Sequence, residues 1–245
     1  MHIAIPYRAL KRVLFWLWIT VITAGLTVEV AFYGFGLDQD ETWLALFSLS
    51  YEENVPTWYT VCLVLVAAWL LMLIAIGAQQ RRAAYVFHWW GLAIGFFYIS
   101  LDELVQLHEQ ASRLIEGTGG VLYFDWIIPA TPVLIILILC YAKFLFHLPS
   151  VSRNRFILAG SIFVFGAIVM ELPLGWWVDN FGDDNFGYSA IDFVEESLEM
   201  FAINFFILTL VKRIFGDSEQ LRVSFHNTRV HAEAAPPESH ALSSH

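Results

Sequence analysis

Six stretches of this chain, 13–35, 57–78, 85–108, 125–147, 156–178 and 191–211, are apolar runs. Each is long enough to cross about 30 Å of hydrocarbon at a helical rise of about 1.5 Å per residue. Inside a lipid layer no water is present to satisfy backbone N–H and C=O groups, so a spanning segment must bond them within itself and become a helix. An all-α, polytopic transmembrane bundle of six spans is the expected fold. Composition agrees, since 58% of the residues are hydrophobic and 15% charged, against about 25% charged in soluble domains.

The basic residues orient the spans. Arg8, Lys11 and Arg12 precede the first, and Arg81 and Arg82 lie between the second and third. Arg153 and Arg155 lie between the fourth and fifth, while Lys212 and Arg213 follow the sixth. Every second connection is basic and the others are net acidic, so the positive-inside rule puts both termini in the cytoplasm. The first run is too long for the apolar region of a signal peptide and no A-x-A-like site closes it, so it is read as an uncleaved span. Residues 1–213 form the expected transmembrane domain, and the polar residues 214–245 an unstructured cytoplasmic tail.

The outward connections are more varied. Acidic residues surround Trp43-Leu-Ala-Leu-Phe47, a pattern suited to a short interfacial helix. Asn54-Val-Pro-Thr57 has the residues of a helix start, with Pro56 in the first turn. Asp179–Gly187 reads as a Gly/Asp/Asn loop whose acids are solvated turn residues or cation ligands. Cys62 and Cys140 fall within apolar runs and are expected unpaired. Lys and Arg total 13 with no basic stripe, which excludes nucleic acid as a partner.

Against this apolar background the acids stand out. Measured from Arg12, Arg82, Arg155 and Lys212, the positions Glu29, Asp102, Glu171 and Glu195 all lie roughly 24–30 Å above the cytoplasmic boundary at helical rise. Asp192, Glu195 or Glu196, and Glu199 share one face of the sixth span. Asp102, Gln106 and Glu109 share one face of the third, from which His108 is offset by about a third of a turn. Charge at this depth is costly and points to function. The candidate site comprises Glu29, Asp102, Glu103, His108, Glu109, Glu171, Glu195, Glu196 and Glu199. Snorkelling at a helix end accounts equally well for His108 and Glu109, and Asp192 has the chemistry of an N-cap with Glu195 and Glu196 in the first turn. Neither explanation reaches Glu29 or Glu171, which have apolar sequence on both sides.

Many carboxylates with one imidazole suit a divalent cation such as Fe, Mn, Mg or Ca. The Glu-x-x-His pair of ferritin-like bundles is missing, as are H-E-x-x-H, nucleophile-elbow, Walker and Rossmann patterns. His88 and His147, near the cytoplasmic ends of their spans, are read as interfacial.

Phe47-Ser-Leu-Ser-Tyr-Glu-Glu-Asn-Val-Pro-Thr-Trp-Tyr59, Leu101-Asp-Glu-x-x-x-x-His-Glu109 and Glu195-Glu-Ser-Leu-Glu-Met200 together resemble an uncharacterised family of small bacterial polytopic membrane proteins over residues 13–213. The resemblance implies a bacterial inner membrane with a periplasmic outer side, and supplies no activity.

The leading expectation is a metal-binding carboxylate/His site near the periplasmic face, with possible catalysis on a lipid or lipophilic substrate. A cation or proton carrier and a non-catalytic assembly subunit are the alternatives. The inner halves of the spans are mostly Leu, Val, Ile and Phe, which fits a one-sided site better than a carrier. The lipid bilayer is the expected partner, and oligomeric state is open.

Overall fold

The long helices begin and end where the chain has capping chemistry. A computed structural model describes residues 2–38, 43–112, 117–216 and 220–224. Helix α1 (Tyr7–Phe35) stops at Gly36, whose φ of 67° no branched side chain tolerates cheaply and whose N–H bonds the Phe32 carbonyl at 3.0 Å. Helix α2 (Val55–Gln80) starts at Asn54, whose Oδ1 accepts the Thr57 N–H at 3.1 Å, with Pro56 in the first turn where its missing N–H costs nothing. Before it, Trp43–Phe47 is a short 3-10 helix, as the interfacial pattern anticipated, although the acids at 39–42 lie outside the described residues.

Helix α3 (Val86–Val105) is shorter than the third apolar run, because Gln106 turns left-handed (φ 55°, ψ 47°) and the chain restarts as α4 (Leu107–Ser112). The common face expected for Asp102, Gln106 and Glu109 is therefore broken. After α5 (Ile127–His147), the fifth apolar run forms α6 (Ser150–Val164), a π-helical turn (Phe165–Met170) and α7 (Glu171–Phe181), continuous over 32 residues. Helix α8 (Phe186–Phe215) begins earlier than the apolar run suggests. Asn185 caps it by accepting the Tyr188 N–H at 3.1 Å, and holds the Trp177 indole N–H at 2.7 Å. Asp192 thus lies inside the helix and is not its N-cap, and the loop before it is only residues 182–185.

The fold is all-α but for one feature that the sequence reading lacked. Strand β1 (His2–Pro6) pairs antiparallel with β2 (Gln220–Ser224), His2 opposite Ser224 and Pro6 opposite Gln220. This ribbon ties the start of α1 to the chain beyond α8, within the segment read as tail; residues 217–219 and 225–245 lie outside the described residues.

Helix α8 sits at the centre, packed on α1, α2, α6, the π turn and α7, while α2 pairs closely with α3. Leu71, Met200 and Leu210 are fully buried there. Phe96 stacks on Phe206 at 5.1 Å, and Phe156 meets Phe206 edge-on at 5.0 Å. Helix α5 lies at the edge, and its Val133, Ile135, Ile136 and Leu139 are exposed, as befits a helix bathed in hydrocarbon. Cys62 and Cys140 are free. His88 and His147 are held among the rings of Tyr85, Tyr141 and Phe144.

Among the described residues four helices are long and apolar enough to cross a membrane: α1, α2, α5 and the continuous α6–α7 rod. Helix α3 carries Asp102 and Glu103, and α8 carries Asp192, Glu195, Glu196 and Glu199, so their hydropathy is diluted by the acids of the candidate site.

Candidate functional site

The acids do come together at one end of the bundle. Glu29, Glu171, Glu195 and Glu199 are only 4%, 9%, 7% and 8% exposed. Helix α8 presents Asp192, Glu195 and Glu199 on one face, and Glu195 lies within electrostatic reach of Glu171, Asp192 and Glu196. Glu199 is within reach of Glu103, and Asp192 of Glu29 and Glu52, so α1, the segment before α2, α3, α7 and α8 all contribute. Among the described residues, Lys and Arg of these helices lie at the opposite ends, leaving His108 as the one cation-forming side chain near the acids.

Two features of the backbone build the centre. The π turn widens the α6–α7 rod by one residue per turn just before Glu171, and such insertions recur at functional sites. Inside it, Gly166 lets the rod close on α8: a Cβ there would stand 2.9 Å from the Glu199 Cγ and 3.2 Å from the Glu195 carbonyl oxygen. The second feature is the left-handed Gln106. By reversing the chain it brings His108 back over the end of α3, where its backbone N–H donates to Asp102 Oδ1 and its ring Nδ1 meets Asp102 Oδ2, both at 3.0 Å. The third-of-a-turn offset expected for a continuous helix does not apply.

Individual acids have distinct settings. Ser48 Oγ donates to Glu29 Oε1 at 2.6 Å, with both side chains buried. The Trp126 indole N–H donates to Glu171 Oε1 at 3.1 Å, and the same indole packs against the His108 ring at 5.3 Å. Trp126 thus joins the Asp102–His108 pair to Glu171. Burial lowers the His108 pKa, but the Asp102 hydrogen bond and the charges of Asp102, Glu52 and Glu103 outweigh it and leave the imidazole raised above its ordinary value. Glu195 Oε2, like Asp192 Oδ2, is buried and has no hydrogen-bond partner among the described residues. Glu109 belongs to the α4 backbone, and its side chain lies outside the described ones. Among the described residues no three His, Cys, Asp or Glu side chains stand grouped as ligands of a single metal ion.

Above the centre is a polar cavity of about 700 Å³, lined by Glu29, Asp38, Asp183, Asp184, Ser50 and Tyr188 among others. Its acids come from the last turns of α1, the residues just after it and the 182–185 loop, so it forms a negatively charged vestibule whose Glu29 is within electrostatic reach of Asp192. Clefts of one charge sign concentrate ions of the other.

Residues 12–214 match the family described as domain of unknown function DUF8692. The chain belongs to that family. No curated protein and no solved structure matches it. The DUF8692 region takes in all nine candidate residues, the π turn and the vestibule, and ends before β2.

Several participants escaped the sequence reading. Trp126 lies outside the acidic motifs and Ser48 is an uncharged member of one, so only their tertiary bonds reveal them. Gly166 and the π turn leave no periodic signal, because one extra residue in an apolar run changes no hydropathy.

Proposed function

We propose that the protein is a six-span membrane protein of a bacterial inner membrane, with cytoplasmic termini and a carboxylate–His centre reached from the periplasmic side. The centre binds a divalent cation of the oxygen-seeking kind, Mg, Ca, Mn or Fe, and serves a lipophilic substrate. The observation that carries this reading is Glu195. Its Oε2 is buried and unpartnered beside Glu171, Asp192 and Glu196. A buried ionised carboxylate without a partner costs several kcal/mol, so it recruits a cation or a proton. The vestibule supports the cation, since its lining acids attract positive charge from the aqueous side.

A bound divalent cation would supply Lewis-acid polarisation of a substrate oxygen. Around it, Asp102 orients the His108 ring through Nδ1, the arrangement by which a carboxylate positions a working imidazole. Trp126 holds Glu171 by its indole N–H and excludes water from one side. The ribbon supports an even number of crossings, since it sets residues 2–6 beside residues 220–224 and so puts both on one side of the membrane.

A second reading, a proton or cation carrier, has its own observation: no three described ligands are grouped for one ion. Protons would then do the neutralising. Below the acids the described core is mainly apolar, with Thr60, Asn204 and Thr209 among its buried polar side chains, a sparse route for a carrier.

Elemental analysis of protein purified in mild detergent decides between them. A stoichiometric divalent metal, lost in Glu195→Gln, is expected. Metal at background level in the wild-type protein would overturn the metal centre and favour the carrier.

A further inference from the structure

Beneath the acids, between α3, α5, α6 and α8, lies a second cavity of about 320 Å³, within the size range of small-molecule sites. Its lining is apolar except for the Tyr141 hydroxyl, which donates to the His88 carbonyl oxygen at 3.1 Å. Two of the glycines in its wall do not serve close helix packing, because a Cβ added at Gly95 or Gly160 would meet no atom within 4 Å. They leave width in the cavity instead. Ile138 of the peripheral α5 both lines the cavity and is 56% exposed, so the space opens sideways through the face that hydrocarbon would bathe.

The position of its outer end gives the cavity a chemical direction. Ile99 lies one turn before Glu103 on α3, Val164 directly precedes the π turn, and Ala202 and Ile203 lie one turn after Glu199 on α8. The apolar space stops one turn short of Glu103 and Glu199, so an occupant filling it directs its outer end toward them. These acids lie near one another and near Glu196, so the mouth favours a positive head group and repels an anionic one.

We propose that this cavity takes the alkyl chain of a single-chain amphiphile that enters from the bilayer between α3 and α5 and offers an amine head to Glu103 and Glu199. The inference rests on the carboxylate centre proposed above and names its substrate class. One divalent cation would neutralise only two of the carboxylates, which leaves others to receive the amine.

The test uses the full-length protein in non-ionic detergent, with dodecylamine, dodecanol and dodecanoate as probes and native mass spectrometry and calorimetry as readouts. Dodecylamine is expected to bind one per chain, at least about ten-fold more tightly than dodecanoate, a gap of the size charge complementarity supplies. Gly95→Leu or Gly160→Leu should weaken dodecylamine by about ten-fold by filling the slot, with metal content unchanged. Glu199→Gln should narrow the preference for amine over alcohol while dodecanol still binds. Should a leucine variant fail to fold, a chain-length series on the wild-type protein replaces it, and butylamine is expected to bind far more weakly than dodecylamine. Binding that ignores head charge, or an amine affinity independent of both chain length and the glycine positions, overturns the proposal. The two readings fail separately: a metal-free wild-type protein that still selects dodecylamine overturns the metal alone, and a metal-loaded protein blind to head charge overturns the amphiphile alone.

Discussion

Asp102 holds His108 at two points, taking its backbone N–H on Oδ1 and its ring Nδ1 on Oδ2, each at 3.0 Å. The ring bond is charge-assisted when the imidazole is protonated, and it raises the His108 pKa above the ordinary value. A raised histidine stabilises the fold fully below its unfolded pKa of about 6.5, and the gain is lost as pH rises through the folded value. Melting temperatures of the wild-type protein and Asp102→Asn, compared from pH 5.5 to pH 9, should therefore differ most at the acid end and converge partly at the alkaline end. A gap that does not change with pH would mean the pair acts only through its neutral hydrogen bonds.

The pair exists because Gln106 takes the left-handed conformation, at φ 55°. A non-glycine residue there costs roughly 1 kcal/mol, which glycine avoids. Gln106→Gly is expected to hold or raise stability by about 0.5–1 kcal/mol, and Gln106→Val to lower it by more, since a branched Cβ clashes in that region. Were α3 continuous through this position, the order would reverse, because glycine weakens a helix interior by about 1 kcal/mol. Chemical denaturation of the two variants reads the sign directly.

The break at Gln106 also marks how far the sequence could be read. The long apolar runs fix helices, because hydrocarbon leaves the backbone no other way to satisfy its bonds. The shared depth of Glu29, Asp102, Glu171 and Glu195 follows from helical rise alone; in the structure Glu29, Glu171 and Glu195 are each within electrostatic reach of Asp192, while Asp102 is paired with His108. What did not show were departures from regular helix. Gln106 is not a residue type that announces a left-handed turn, and the π turn before Glu171 adds a residue without altering hydropathy. Regular helical spacing puts His108 to one side, whereas it lies on Asp102, and the N-cap chemistry of Asp192 goes unused because Asn185 performs that role. The β1–β2 ribbon joins residues 2–6 to residues 220–224 by backbone pairing, for which neither segment carries a local signal.

Gly166 sets the distance between the α6–α7 rod and α8. An added Cβ meets both the Glu199 side chain and the backbone at Glu195. Gly166→Ala should cost about 1–3 kcal/mol, the range for overpacking a filled contact, and should disturb the centre more than its size suggests. Gly34→Ala is the control, since its Cβ would meet only Val30 at 3.6 Å and belongs to an ordinary helical surface. Comparable thermal losses in the two variants would show that the close approach at Gly166 carries no special constraint.

The last prediction concerns whether Glu195 and Glu199 act on one cation. Gln nearly matches the shape of Glu, so Glu195→Gln and Glu199→Gln remove charge without opening a cavity. If both acids hold the same divalent ion, a chelator lowers the wild-type melting temperature, because an ion bound only by the folded state stabilises it by mass action. Each single variant should then lose that chelator response, and the double variant should lose nothing further, since residues of one network are not additive. Melting in the presence and absence of EDTA, for the four proteins, supplies the cycle. Separate sites give a different pattern, in which each single variant keeps part of the response and only the double abolishes it. A protonated cluster gives a third: EDTA leaves all four unchanged, and the glutamines, resembling the neutral carboxyls they replace, melt close to the wild-type protein. Either of the last two patterns would remove the shared cation from the centre around Glu195.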